Sequence, residues 1–156
     1  MAPSDTLKVF FQQNNLLDYA IEAYSKTMRL YKNASYEFQI AQIYGEKGEF
    51  EKMFDSYTQL IDKDENYLGG VQRFTSRYIN EDATNSNNIA FKKSLLKKSI
   101  SNPKNVWNEL LSWLFTKQKE YGKAFIQEKA LFNRDPAYIE TVFKLGRFGF
   151  GSYRWC

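Results

Sequence analysis

Apolar side chains recur at helical spacing along most of this chain, and in the best-defined stretch the pattern folds back on itself. Phe38, Ile40, Ala41, Ile43 and Tyr44 form one stripe; Gly45-Glu46-Lys47-Gly48 interrupt it; Phe50, Met53, Phe54, Tyr57, Leu60 and Ile61 form a second. The spacing predicts two helices joined by a tight turn, a hairpin of about 34 residues. A unit of that size cannot bury both its faces alone, so the chain must supply neighbours built the same way. Only three prolines and eight glycines occur, and no β-branched run alternates with period two, so an all-α protein is expected. With 156 residues, 43% of them hydrophobic, the chain can bury a core without a disulfide or a metal.

What the chain lacks narrows the chemistry. There is no histidine, and the single cysteine is Cys156, which removes Ser-His-Asp and Cys-His catalysis and every Cys/His metal site. No stretch approaches the roughly 20 apolar residues of a membrane span. Met1-Ala2-Pro3-Ser4-Asp5 opens without a basic run leading into an apolar one, so no signal peptide is expected.

The net charge of +4 is modest but unevenly placed. Residues 37–67 carry eight acids against Lys47, Lys52 and Lys63, a net of −5; residues 83–104 carry Lys92, Lys93, Lys97, Lys98 and Lys104 without an acid, a net of +5.

The 34-residue hairpin resembles the tetratricopeptide repeat (TPR). In a unit beginning at Ala34, Ile40, Ala41 and Tyr44 fall where that family carries Leu, a small residue and Tyr. Gly48 and Phe50 fill the turn, and Tyr57 and Leu60 take the later aromatic and small positions. Glu37, Met53 and Glu65 depart from the pattern. A copy over about 1–33 carries Leu7, Phe11, Leu17, Ala20 and Tyr24, with Asn15 in place of the turn glycine. A copy over about 105–138 carries Leu111, Ser112, Phe115, Tyr121, Ala124, Leu131 and Pro136, with Glu128 in the aromatic position and Trp107 at the bulky position if the register slips by one. Residues 68–104 make a degenerate unit. Val71, Phe74, Thr75 and Tyr78 belong to its first helix, the polar stretch 80–88 to an expanded turn, and Ile89, Ala90, Phe91, Leu95, Leu96 and Ile100 to its second helix. The stretch from Leu110 to Ala130 is also similar to TPR proteins of Bacteroidetes, which are commonly long and exported.

The resemblance implies a right-handed α-α superhelix of three to four hairpins plus a terminal helix, covering 1–156 as one repeat domain with a half-repeat at 139–156. It implies a non-catalytic scaffold that takes a peptide or partner protein in a concave groove, with no cofactor. The groove positions carried over are Phe38, Gln42 and Glu46 in the second unit, Gln72 and Ser76 in the third, and Glu109, Trp113 and Lys117 in the fourth. Phe38 and Trp113 would be the anchors. The paired lysines and asparagine that clamp a peptide carboxylate in some TPR proteins are not seen. A helix from Pro136 carrying Tyr138, Ile139, Val142, Phe143, Leu145 and Phe148 lacks a partner, so the chain reads as part of a longer array or as a protomer capped by a copy of itself. Phe143, Phe148, Phe150 and Trp155 are the expected self-association contacts.

The remaining motifs carry less. Asp62-x-Asp64-x-Asn66 opens like a calcium loop, but Tyr67 and Arg73 stand where that loop needs glycine and glutamate, so a polar turn and no metal site is expected. The glycines at 146, 149 and 151 follow a helix rather than a strand and do not form a dinucleotide loop. Asn33-Ala34-Ser35 is a glycosylation sequon at a unit junction. Glu46, Glu49 and Glu51 read as a solvated turn rather than an acid–base pair. Lys92, Lys93, Lys97 and Lys98 form a basic face opposite Phe91, Leu95 and Ile100. It is the basis for an alternative, nucleic-acid-associated reading, but aromatics and arginines are missing from it.

Overall fold

The computed structural model describes residues 16–137. Among them the chain is all-helical, with seven α-helices and no strand. They fall into two compact units divided after Asp64. The first holds α1 (Leu17–Leu30), α2 (Glu37–Glu46) and α3 (Phe50–Lys63). The second holds a 3-10 turn (Glu65–Tyr67), α4 (Leu68–Thr75), α5 (Ser86–Ser101), α6 (Asn105–Lys117) and α7 (Tyr121–Arg134).

In the first unit α2 and α3 pair as a hairpin, and α1 packs on α2. Ala20 and Tyr24 of α1 join Ile40 and Ile43 of α2 in one buried cluster, flanked by Leu17, Ile21, Met28, Tyr36 and Tyr44. The Tyr24 and Tyr36 rings lie 4.8 Å apart. Ala41 is fully buried at the small position of the hairpin, and Met53, Phe54, Tyr57, Leu60 and Ile61 line the inner face of α3.

The turn from α2 to α3 closes with a left-handed residue. Gly48 sits at φ 75°, its N–H donates to Gly45 O (3.1 Å), and the Glu49 N–H donates to Tyr44 O (2.9 Å), the two bonds of a Schellman stop. Glycine takes this conformation without the Cβ clash that other residues incur. The helix runs through Gly45 and Glu46, so the break is narrower than the four-residue interruption expected, and it falls at Lys47-Gly48.

The second unit repeats this turn between α6 and α7. Lys119 stands at φ 59°, its N–H donates to Thr116 O (3.0 Å), and the Glu120 N–H donates to Phe115 O (2.9 Å). Each following helix has 14 residues and ends alike, on Asp64 N–H to Leu60 O and on Asp135 N–H to Leu131 O. Both turns also carry the same local ion pair, Glu49 with Lys52 and Glu120 with Lys123. The helix α1 has the same length and the same extended residue after its end.

The repetition extends to side chains. Tyr24 of α1, Tyr57 of α3 and Phe91 of α5 are buried at positions 33 and 34 residues apart, and Glu128 of α7 follows 37 residues later. Three of these four helices thus carry a buried ring at the matching position of the repeat.

The degenerate stretch differs from expectation in two ways. The helix α4 ends at Thr75, short of Tyr78, with Leu68, Val71 and Thr75 buried; the Thr75 hydroxyl donates to Val71 O (2.8 Å). The helix α5 begins at Ser86, inside the segment expected to be loop, and Ile89, Leu96 and Ile100 face outward rather than into the core. Its buried side is Asn88, Phe91, Ser94 and Leu95, and it packs chiefly on α6. Trp107 of α6 is fully buried, with its indole N–H donating to Asn102 O (2.8 Å).

The loop 76–85 is held by polar anchors. The fully buried Asn88 donates from Nδ2 to Asn80 O (2.8 Å) and Asp82 O (2.6 Å) and accepts at Oδ1 from Asn80 N–H (3.2 Å). Asn87 Nδ2 donates to Tyr78 O (3.0 Å), Asn85 caps α5 by accepting from Asn87 N–H (2.9 Å), and Asp82 Oδ1 accepts from the Thr84 N–H and hydroxyl. Ile79 adds one buried aliphatic side chain.

Candidate interaction surface

In the first unit Phe38, Gln42 and Glu46 lie one turn apart along α2, so they share a stripe. Phe38 is half-buried and meets the Tyr57 ring edge-on at 5.4 Å; Gln42 is half-buried and Glu46 exposed. The aromatic is therefore backed by α3 through the Tyr57 ring and keeps part of its surface exposed. An ion-pair network fixes the hairpin beside it. Lys47 reaches both Asp18 of α1 and Glu49, and Glu49 also takes Lys52. The bonds to Asp18 and Glu49 push the Lys47 ammonium up, and Lys47 and Lys52 hold Glu49 below the ordinary carboxylate range. At the other end of α2, burial opposes ionisation of Glu37. The Lys63 ammonium, a backbone N–H and Ser35 outweigh it and lower the carboxyl.

In the second unit the carried-over positions part company. Gln72 is half-buried on α4, and Ser76 caps that helix, its hydroxyl donating to Arg73 O (2.7 Å). On α6, Trp113 is half-buried and meets Phe91 edge-on at 6.4 Å, and Lys117 is exposed. Glu109 is not on an open face: it is buried at 1% exposure, because α5 and α7 both pack on α6 and enclose most of its circumference. Glu109 is therefore removed from the accessible set.

Opposite, α7 shows its own departure. Glu128 occupies the register position filled by rings in α1, α3 and α5 and is half-buried. Burial pushes its carboxyl up, against the pull of the nearby Ser112 hydroxyl. Asn108 Nδ2 donates to Gln127 Oε1 (2.9 Å) across the same helix pair. The outer side of α7 exposes Tyr121, Phe125, Ile126 and Phe132.

In the acidic turn, Glu49 is engaged by two lysines. Among the described residues no group of three or more acidic or cysteine side chains could hold a metal ion, and no helix is long and apolar enough to cross a membrane. The self-association residues Phe143, Phe148, Phe150 and Trp155, like Leu7, Phe11 and Asn15 of the first unit, lie outside the described residues. Compared with protein-family models, curated proteins and solved structures, the chain matches none.

Proposed function

We propose that this chain is a non-catalytic, TPR-like interaction module that holds an extended or helical peptide against the first-helix stripes of its hairpins. The reading rests on one observation above all. Phe38 is half-buried and braced edge-on by the Tyr57 ring, with an amide and a carboxylate following at one-turn intervals. An aromatic held in one orientation loses little freedom on binding, which suits it as an anchor, while Gln42 and Glu46 would fix direction through backbone and basic groups of a peptide. Trp113, braced by Phe91 and followed by Lys117, offers the same arrangement in the second unit with the opposite charge. The recurring turn and the recurring ring position support a repeat array of the TPR kind, and the apolar outer side of α7 suits the contact that a further hairpin makes in such arrays.

Panning a peptide-display library on the wild-type chain, then measuring the selected peptides against Phe38→Ala and Trp113→Ala, tests the reading. Each substitution is expected to weaken capture at least about tenfold while the thermal midpoint stays within a few degrees. Peptides that bind both variants as they bind the wild type would remove the groove assignment.

A further inference from the structure

The outward face of α5 combines two features in a single stripe. Ile89, Leu96 and Ile100 are exposed at 46%, 43% and 81%. At about 100° per residue they fall within about 40° of one another around the helix, with Lys93 and Lys97 on one side and Lys92 on the other. Lys93 and Lys97 are exposed and Lys92 half-buried, and none of the three has an ion-pair partner among the described residues. The segment 83–104 contains no acid. The nearest acids before it are committed elsewhere, Glu81 to Lys119 (2.6 Å) and Asp82 to Thr84.

We infer that this face lies on an anionic lipid surface, with the three aliphatic side chains entering the headgroup layer and the lysines meeting lipid phosphates and carboxylates. Its shape favours a membrane over a peptide: side chains standing out from one helix make a ridge, whereas a bound peptide helix needs a groove. The apolar component favours lipid over nucleic acid, because Ile and Leu offer no stacking platform for bases and no arginine fork is present. Basic residues flanking an exposed aliphatic stripe are what in-plane membrane binding requires, and each lysine near a negative leaflet adds to the attraction. The surface lies on a different helix from the first-helix stripes, so the inference does not rest on a peptide bound there.

Cosedimentation of the full chain with phosphatidylcholine vesicles, and with vesicles containing about one-third phosphatidylserine, tests the inference. Binding to the anionic vesicles, weakened by salt and absent with neutral ones, is the expected result. Lys93→Glu with Lys97→Glu, and separately Leu96→Ser with Ile100→Ser, should each lower apparent affinity at least roughly tenfold with the circular dichroism unchanged. An environment-sensitive dye on Ile100→Cys in a Cys156→Ser background should shift to the blue on anionic vesicles, which gives a readout in a chain with the lysine face intact. No vesicle binding, equal binding to neutral vesicles, undiminished binding by the serine pair, or an unshifted dye would each overturn it. So would capture of a single-stranded oligonucleotide or of polyglutamate in place of anionic vesicles.

Discussion

Asn80 and Asn88 hold each other in both directions: the Asn80 N–H donates to the Asn88 side-chain oxygen (3.2 Å), and the Asn88 amide donates back to Asn80 O (2.8 Å). The same amide reaches Asp82 O (2.6 Å), so one fully buried side chain anchors the loop to the first turn of α5. Asn88→Ala strips three backbone groups of their partner and leaves a void, which is expected to cost about 2–3 kcal/mol. Asn88→Asp should be no better, because a carboxylate would face two carbonyl oxygens. Denaturant unfolding measures the loss. Limited proteolysis supplies the second readout: the loop 76–85 should resist cleavage in the wild-type chain and be cut first in Asn88→Ala.

This loop shows where sequence reading stops. A run of Asn, Asp, Ser and Thr identifies a loop by what such residues do locally, yet it carries no signal that one asparagine turns inward and binds backbone groups six and eight residues before it. The α2–α3 hairpin was legible because its apolar residues keep helical spacing on both arms and its glycine marks the left-handed turn. The α5 face was misread for a related reason. The helix carries apolar residues on two sides, Phe91 with Leu95 and Ile89 with Leu96 and Ile100, so period alone placed Ile100 inside, and only the packing of α5 on α6 shows which side is covered. Glu109 was placed by position within a unit, and position does not record that α6 is enclosed from two sides.

The two equivalent turns make opposite predictions. Gly48 and Lys119 hold the same left-handed position, where a side chain costs roughly 1 kcal/mol relative to glycine. Gly48→Ala should destabilise by about that amount although nothing lies within 4 Å of the added Cβ. Lys119→Gly should stabilise by about 0.5–1 kcal/mol, since the exposed pair of Lys119 with Glu81 that it removes is worth little. A pair of thermal melts decides it: midpoints moving in the same direction would show that the turns are not equivalent.

Ala41 and Ser112 occupy the small position of the two hairpins and are both fully buried. Ala41→Leu adds three carbons where α2 meets α3 and should cost about 1–3 kcal/mol through forced rotamers or helix displacement. Ala41→Gly tests the same contact from the other side and should cost about 1 kcal/mol through lost helix propensity. Chemical denaturation of both variants checks the pair; a neutral Ala41→Leu would mean that the helices can part at this point.

Glu128 makes the pH behaviour of α7 depend on a position that α1, α3 and α5 fill with rings. Burial raises its carboxyl above the ordinary value of 4.5, so the folded chain holds this proton more tightly than the unfolded chain does. Between the ordinary and the raised value, stability must fall as pH rises, and above the raised value the penalty is complete. Glu128→Gln keeps the shape and removes the charge. It should raise the thermal midpoint at pH 7 by roughly 1–3 °C, the modest size following from the carboxyl's partial access to water. The advantage should shrink as pH falls and vanish below about 4, where the wild-type carboxyl is protonated in both states. Melts of the two proteins from pH 4 to pH 8 measure that difference directly, and the comparison cancels the opposing contributions of Glu37 and Glu49, which both chains share. A midpoint difference that stays constant across the series would mean that Glu128 is as well solvated in the folded chain as in the unfolded one.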